Sequence, residues 1–477
     1  MRSRVATWIG LWLWLGALGG PAAGAQERQI NDPFYWSKGA WGQAYGDQWA
    51  LKRVGFTPPG QGRSAWDLET GASRPVVVAV IDTGLDYFHP DLRRENVWRN
   101  PKEELNGRDD DGNGYIDDLI GWNFIDNDNN PWDYAGHGTH VAGIIAAAMG
   151  NGEGIAGINR GARIMPLKVL NFVGRGRSVG IAGAIFYAVK NGARVINLSL
   201  GGEHLSKTEQ LAINYAAKRG VVVVVAAGNE ATDTRDYGPA GLPKVITVGA
   251  TDVEDKRVGF SNWGAAVNVA APGVDILSLR ARRTDFVLVS GARDYQAGSA
   301  FVGPAARYYR ASGTSFAAPF VAGVASLLFA KNPKLTGEQV TRMILQSARD
   351  IEVPGKDQYT GYGLLDARAA LAADPAFFIE ARLTRVQPAQ EGGQTVVRVS
   401  GTADANAFAK AWIEVGPGKH PTKWKQVSRT LTRPVKGGTL DDLAAGHFRG
   451  AKQWVLRLIT EHKNGKRREA RFQLNLQ

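Results

Sequence analysis

At 477 residues the chain is too long for one compact core and predicts two or three domains. Hydrophobic residues at 44% and charged residues at 21% exclude a disordered chain, while Cys 0 excludes disulfides, thiolate catalysis and cysteine-ligated zinc, so stability must come from core size or bound ions. The net charge of +12 is unevenly placed: from Pro375 onward 18 Lys and Arg stand against 8 Asp and Glu, which is nearly all of the excess.

The chain opens MRSRVATWIGLWLWLGALGGPAAGA, where Arg2 and Arg4 precede an apolar run from Ala6 to Leu18 and the small residues Ala23, Gly24 and Ala25. That is the composition of a secretory signal peptide over 1–25, and it predicts secretion, extracellular or periplasmic. The run is shorter than the roughly 20 residues a spanning helix needs, and no transmembrane span is predicted later. From 26 to 374, short β-branched apolar runs alternate with helix-period stretches. VVVAVID (76–82), ARIMPLKVL (162–170), ARVINLSL (193–200), GVVVVVAAGN (220–229) and KVITVGAT (244–251) read as strands buried on both faces. Between them HVAGIIAAAMG and SVGIAGAIFYAVKNG read as helices, the second ending on a helix-stop glycine. The predicted fold class is α/β, a mostly parallel sheet with helices on both faces. After Asp374 the texture turns to period-2 alternation, in TVVRVSGTA, KAWIEVGPG, KQWVLRLITEH and ARFQLNLQ. Residues 375–477 therefore predict a C-terminal all-β sandwich, an accessory domain.

Reactive groups of an open α/β sheet gather at the carboxyl ends of its strands. Asp82 closes an apolar strand before Thr83 and Gly84, His137 lies between Gly136 and Gly138 ahead of an apolar helix, and Ser315 follows Gly313 and Thr314 at another helix start. Each has a plain structural reading alone: a turn former, a core histidine, a helix cap. Together VVVAVIDTGLDYFHPDL, GHGTHVAGIIAA and SGTSFAAPFVAGVASLLFA, in the order Asp, His, Ser, resemble the motifs of the subtilisin-like serine proteases, over residues 31–373.

The resemblance implies a serine endopeptidase acting on polypeptides, with Ser315 as nucleophile, His137 as base and Asp82 holding the imidazole. The residue types suit the roles, because a serine hydroxyl is a poor nucleophile until a base takes its proton, and histidine titrates near neutrality. It also implies Asn229 as an oxyanion donor beside the Ser315 N–H. Substrate would lie extended along Ser199 to Gly201 and Gly174 to Ser178, pairing through backbone. A primary pocket walled by Ser199, Leu200 and Gly201 on one side and Ala226, Ala227 and Gly228 on the other would have room for a large apolar side chain.

NGRDDDGNGYIDDLIGWNF sets Asp109, Asp111, Asn113 and Asp117 or Asp118 near the spacing of an EF-hand loop, without its late Glu. The loop is either a solvated acidic turn or, as the resemblance implies, a structural Ca2+ site. A second calcium candidate joins Asp91 and Asn151 with the carbonyls of Glu153 and Ile155.

The catalytic-type sequence begins near Asn31, too soon after Ala25 for a folded propeptide. Phe316 and Phe320 stand where the family often has Met and His, and the stretch from about Arg280 to Arg310 reads as an insertion. Two other functions fit the same motifs: a catalytically silent binding protein, which the full set of reacting residues opposes, and a peptide ligase or cyclase. The basic C-terminal part is either a stability or secretion module or a docking surface for anionic cell envelope, polysaccharide or nucleic acid.

Overall fold

Runs of valine, isoleucine and leucine without alternation form strands only where both faces are covered. That is how the central sheet is built. β1 (Val76–Asp82), β2 (Trp122–Asn123), β3 (Ala162–Lys168), β4 (Val195–Leu198), β5 (Val222–Ala226), β6 (Ile246–Thr251) and β7 (Val267–Pro272) make one sheet in the order β2-β3-β1-β4-β5-β6-β7. Every pairing in it is parallel. This computed structural model describes residues 30–58, 63–282, 284 and 300–475. The expected signal peptide, 1–25, lies outside the described residues, as does most of the expected 280–310 insertion.

The chain leaves β1 toward β2 and β3 on one side, and leaves β4 toward β5, β6 and β7 on the other. Adjacent strands whose connections diverge open a crevice at their carboxyl ends. Asp82 is the last residue of β1, and Ser199 follows β4. The helices His137–Ala146 and Thr314–Lys331 cover one face of the sheet, and Ser178–Lys190 with Lys207–Lys218 cover the other.

Thr314–Lys331 has the length and apolarity of a membrane span, with a mean hydropathy of 1.4, and 89% of that window is buried inside the protein. Its apolarity serves the core: Phe320, Val324, Leu327 and Leu328 are sealed under the sheet. Each such buried side chain contributes about 1.5–3 kcal/mol. Gly323 lets this helix close on Ile158, since any Cβ there would collide with that side chain.

The flanks of the insertion pair with one another. β8 (Ile276–Leu279) and β10 (Tyr308–Ala311) run antiparallel, and β9 (Phe301–Val302) adds to β10. Beyond residue 374 two antiparallel sheets face each other. One is β11 (Ile379–Glu391), β12 (Gln394–Ala405) and β15 (Val435–Ala444); the other is β14 (Lys425–Gln426), β13 (Phe408–Pro417), β16 (Gln453–His462) and β17 (Arg467–Asn475). Val399, Ala411, Ile413, Leu440, Leu456 and Leu458 form the core between them. β17 leans on the α/β part: Lys356 N donates to the Glu469 carbonyl, and the Arg468 guanidinium donates to the carbonyls of Leu345 and Gln346 beneath the Tyr362 ring.

Candidate active site

Asp82 is fully buried, and its Oδ1 takes the Thr83 N–H and lies 2.7 Å from His137 Nδ1. Its Oδ2 is buried without a hydrogen-bond partner among the described residues, so its charge is directed at the imidazole. Burial opposes charging His137, but Asp82 and then Asp133 outweigh it and hold its pKa above the ordinary histidine value.

Asp133 is a residue that motif reading passes over. It accepts from the Ala135, Gly136 and Thr139 N–H groups, the Thr139 hydroxyl and the Thr83 hydroxyl. Thr83 Oγ1 in turn accepts from Gly138 N. One buried carboxylate thus ties the turn carrying His137 to the strand end carrying Asp82. The signal in sequence is only an Asp four residues before the His. Asp133→Asn is expected to move the acid limb of kcat/KM to lower pH, because it removes a negative charge that favours imidazolium. Activity needs the neutral base and is lost as pH falls through the His137 pKa, so the variant keeps activity at a lower pH than the parent. Its plateau is expected to fall about 10- to 100-fold from loosened geometry. Rate profiles of the two proteins between pH 5 and 9, all conditions about these ordinary limits, check both effects.

Ser315 lies in the first turn of Thr314–Lys331. Four residues on, Pro319 has no N–H to give the Ser315 carbonyl. That carbonyl accepts the Ser199 hydroxyl at 2.6 Å instead, which pins the helix start to the end of β4. Ser315 Oγ donates to the Ser199 carbonyl at a long 3.3 Å, a contact weak enough to give up. Asn229 follows β5, and its Oδ1 accepts from both Thr314 N (2.8 Å) and Thr314 Oγ1 (3.0 Å). With the oxygen so occupied, the NH2 end is the part left to serve the cleft beside Ser315. His137, Ser315 and Asn229 line one cleft of about 1130 Å³ together with Ser199, Leu200, Gly201 and the Gly174–Gly176 segment.

The expected roomy primary pocket is filled. Ser199, Leu200 and Gly201 face the cleft, but Ala226 and Ala227 are buried away from it. Between the two walls stands Tyr237, from the β5–β6 connection: its ring edge would collide with a Cβ on Gly201 and would lie 2.7 Å from one on Gly228. Its hydroxyl faces the Glu230 carboxylate, and reciprocal backbone bonds between Gly202 and Gly238 hold the segment. Small wall residues predicted space; the folded chain spends that space on its own aromatic ring. Phe316 is buried beside His137, with ring centroids 5.4 Å apart, and Phe320 belongs to the core.

In the acidic loop Asp109 and Asp111 converge with Glu103, their oxygens within 4.8 Å of one another. Glu103 Oε1 takes the Asp111 N–H, whereas its buried Oε2 has no hydrogen-bond partner among the described residues. Three carboxylates in so small a space, one with an orphaned oxygen, fit a hard divalent cation. Asn113 reaches this turn through its N–H to Asp109 and Asp111. Asp118 is taken up by Asn100, Asn113 and the Tyr187 hydroxyl, and Asp117 by the N–H groups of Asn106 and Gly107. Glu103 lies upstream of the EF-like spelling, outside the reach of that motif.

Asp91 accepts from Asn151 Nδ2 and Ile155 N, and Glu153 N is held by Asn151 Oδ1. A second buried carboxylate joins them: Asp32 precedes Pro33 like a helix cap yet makes no cap bond, turning to Gly150 N instead. Burial pushes Asp91 up to about 7, with the Asp32 charge adding to the shift, and Asp32 up to about 6. Two sealed carboxylates that resist ionising together also fit a cation.

A buried Asp–His pair at the end of a parallel strand, with a serine and an Asn amide across one cleft, defines a class of serine peptidases on an α/β scaffold. Comparison with known proteins agrees. Residues 73–363 match the Subtilase family. The chain is 39% identical over 307 residues to "Thermophilic serine proteinase" of Bacillus sp. (strain AK1), covering 64% of each chain, and 34% identical over 341 residues to "Thermitase" of Thermoactinomyces vulgaris, covering 72% of this chain and 98% of that one. Among solved structures it is similar to a protease of Pseudoalteromonas arctica PAMC 21717, with a TM-score of 0.52 and 33% identity over 72% of this chain and 99% of the other. The chain belongs to the subtilase family of serine peptidases.

Proposed function

We propose that the protein is a secreted endopeptidase that hydrolyses peptide bonds through Ser315, with residues 1–25 as its signal peptide, 26–374 as its catalytic domain and 375–477 as a stabilising β-sandwich. The observation that supports the reading is the clamp on Asn229: with Oδ1 held twice by Thr314, its NH2 group is the end left to meet a carbonyl on Ser315 as it develops charge. As Ser315 Oγ bonds to the substrate carbonyl carbon, its proton passes to His137 Nε2, while Asp82 keeps Nδ1–H in place. The tetrahedral oxyanion is received by Asn229 and the Ser315 N–H. The imidazolium then protonates the departing amine, the C–N bond breaks, and water releases the acyl group by the reverse course. Casein and peptide hydrolysis by the purified protein beside Ser315→Ala tests this reading. Absence of cleavage by a folded parent would favour a binding protein, and products longer than the starting peptides would favour ligation.

Calcium is the proposed structural ion, held by Glu103, Asp109 and Asp111 at one site and by Asp32, Asp91 and Asn151 at the other. It would supply positive charge to carboxylates that burial otherwise leaves uncompensated, and it takes no part in bond cleavage. With calcium at about a hundredfold its Kd, ion binding contributes about 2.7 kcal/mol. Chelation is therefore expected to lower Tm by on the order of 5–10 °C, with Glu103→Gln removing part of the response to added calcium. A melting curve indifferent to chelator would contradict it.

For residues 375–477 the stabilising role is supported by the Arg468 clamp on Leu345 and Gln346 and by the way the basic side chains pair internally. Arg398 meets Asp442, Arg457 meets Glu414, Arg467 meets Glu461 and Arg471 meets Glu469. Cations so paired have less charge to offer an anionic envelope or polysaccharide.

A further inference from the structure

The helix Lys207–Lys218 begins with Ser206 and carries Glu209 at its third position, the spelling of a reciprocal capping box. Both halves of such a box are made at Thr336 with Gln339 and at Ser64 with Asp67. At Ser206 only the first half forms: Ser206 Oγ accepts the Glu209 N–H, and the Glu209 carboxyl faces the Ser178 side chain across the gap between two helices. Glu209 is 4% exposed, yet it lines the catalytic cleft, as do Leu170, Ser178, Ile181 and Leu200. A carboxylate that leaves its helix cap to sit among apolar walls with one hydroxyl for company costs stability unless a positive group joins it. Burial accordingly holds its pKa above the usual carboxylate value. No ion pair reaches it among the described residues. Glu203 and His204 are exposed at the rim of the same cleft, and Arg175 is exposed on the Gly174–Gly176 segment.

We propose that Glu209 is the floor of a subsite for a cationic substrate side chain, Lys or Arg, in the cleft that Leu170, Ser178, Ile181 and Leu200 also line. The inference rests on the peptidase reading above, and it adds a charge preference at a place other than the primary pocket. An incoming ammonium or guanidinium would take the place of the Ser178 hydroxyl, pair with the ionised carboxylate, and lay its methylene stem on the leucine and isoleucine walls. The bound peptide therefore gains both charge pairing and apolar contact at one residue.

The test scans lysine against norleucine through each position on both sides of the cleaved bond in one parent peptide, using the full-length enzyme, Glu209→Gln, Glu203→Gln and Ser315→Ala. Cleavage of the norleucine parent by wild type and not by Ser315→Ala establishes the peptidase reading independently. Wild type is then expected to favour lysine in kcat/KM by about ten- to a hundredfold at a single position, with the preference kept in Glu203→Gln and abolished in Glu209→Gln. The lysine-to-norleucine ratio is taken on one sample, so it does not depend on how much of a variant is folded. No preferred position, or a preference that survives in Glu209→Gln, would overturn the proposal.

Discussion

Ser315→Ala is expected to lower kcat by on the order of a millionfold, the scale that loss of a nucleophile carries in triads of this kind. The three residues act as a unit, so His137→Ala should cost a similar factor alone and almost nothing further in a Ser315→Ala background. The reason is geometric: His137 is held for one task by Asp82 on Nδ1 and by the Asp133 turn behind it, and without an oxygen to deprotonate that arrangement has nothing to do. Asn229→Ala is expected to cost less, about a hundred- to a thousandfold, because the Ser315 N–H remains to receive the oxyanion. Single-turnover rates on an activated ester, measured for each variant and the double, distinguish a unit from independent contributions. Additive losses for Ser315 and His137 would contradict a shared step.

The second large effect concerns specificity. With Tyr237 standing between Gly201 and Gly228, the wild-type enzyme is expected to cleave after small residues such as Ala and to reject Phe and Leu at the same position. Tyr237→Gly removes the ring, opens the slot and should raise kcat/KM for a Phe peptide by on the order of a hundredfold or more relative to Ala, since an aromatic side chain gains several kcal/mol when fully desolvated. The cost is a core contact: Tyr237 is 8% exposed and packed between Gly201 and Gly228, so the variant should also melt at lower temperature. Tyr237→Phe separates the two effects, keeping the ring and losing only the hydroxyl that faces Glu230, and it should retain the small-residue preference. Paired rates on Ala and Phe peptides check this; a parent that already prefers Phe would show that the ring does not limit the pocket.

The proposed reacting residues are legible because each sits in a local motif whose chemistry depends on its neighbours: Asp82 at a strand end, His137 between glycines, Ser315 at a helix start. The buried strands were legible for the same reason, since an uninterrupted run such as VVVAVID has one comfortable environment. What escaped is made by residues distant in sequence. Tyr237 reads as part of a Tyr-Gly-Pro turn, and only the packing of the β5–β6 connection against Gly201 and Gly228 makes it a plug. Asp32 reads as the cap its position before Pro33 invites, until Gly150 draws it 118 residues away. Glu103 and Asp133 are ordinary acids in ordinary turns until other carboxylates or the histidine loop gather on them. β7, β11 and β15 are not among the strands read from the sequence, because their runs are short, interrupted or weakly alternating and depend on neighbours to become strands.

Ser315 is expected to be the one activated serine of the chain, made so by His137, Asp82 and Asn229. Incubating the intact protein with a fluorophosphonate and mapping the adduct by peptide mass tests it most directly, because phosphorus is attacked by the same oxygen and fluoride leaves. One adduct is expected, on the peptide carrying Ser315, absent in Ser315→Ala and formed far more slowly in His137→Ala. A folded protein that takes no label, or takes it at another serine, would contradict it.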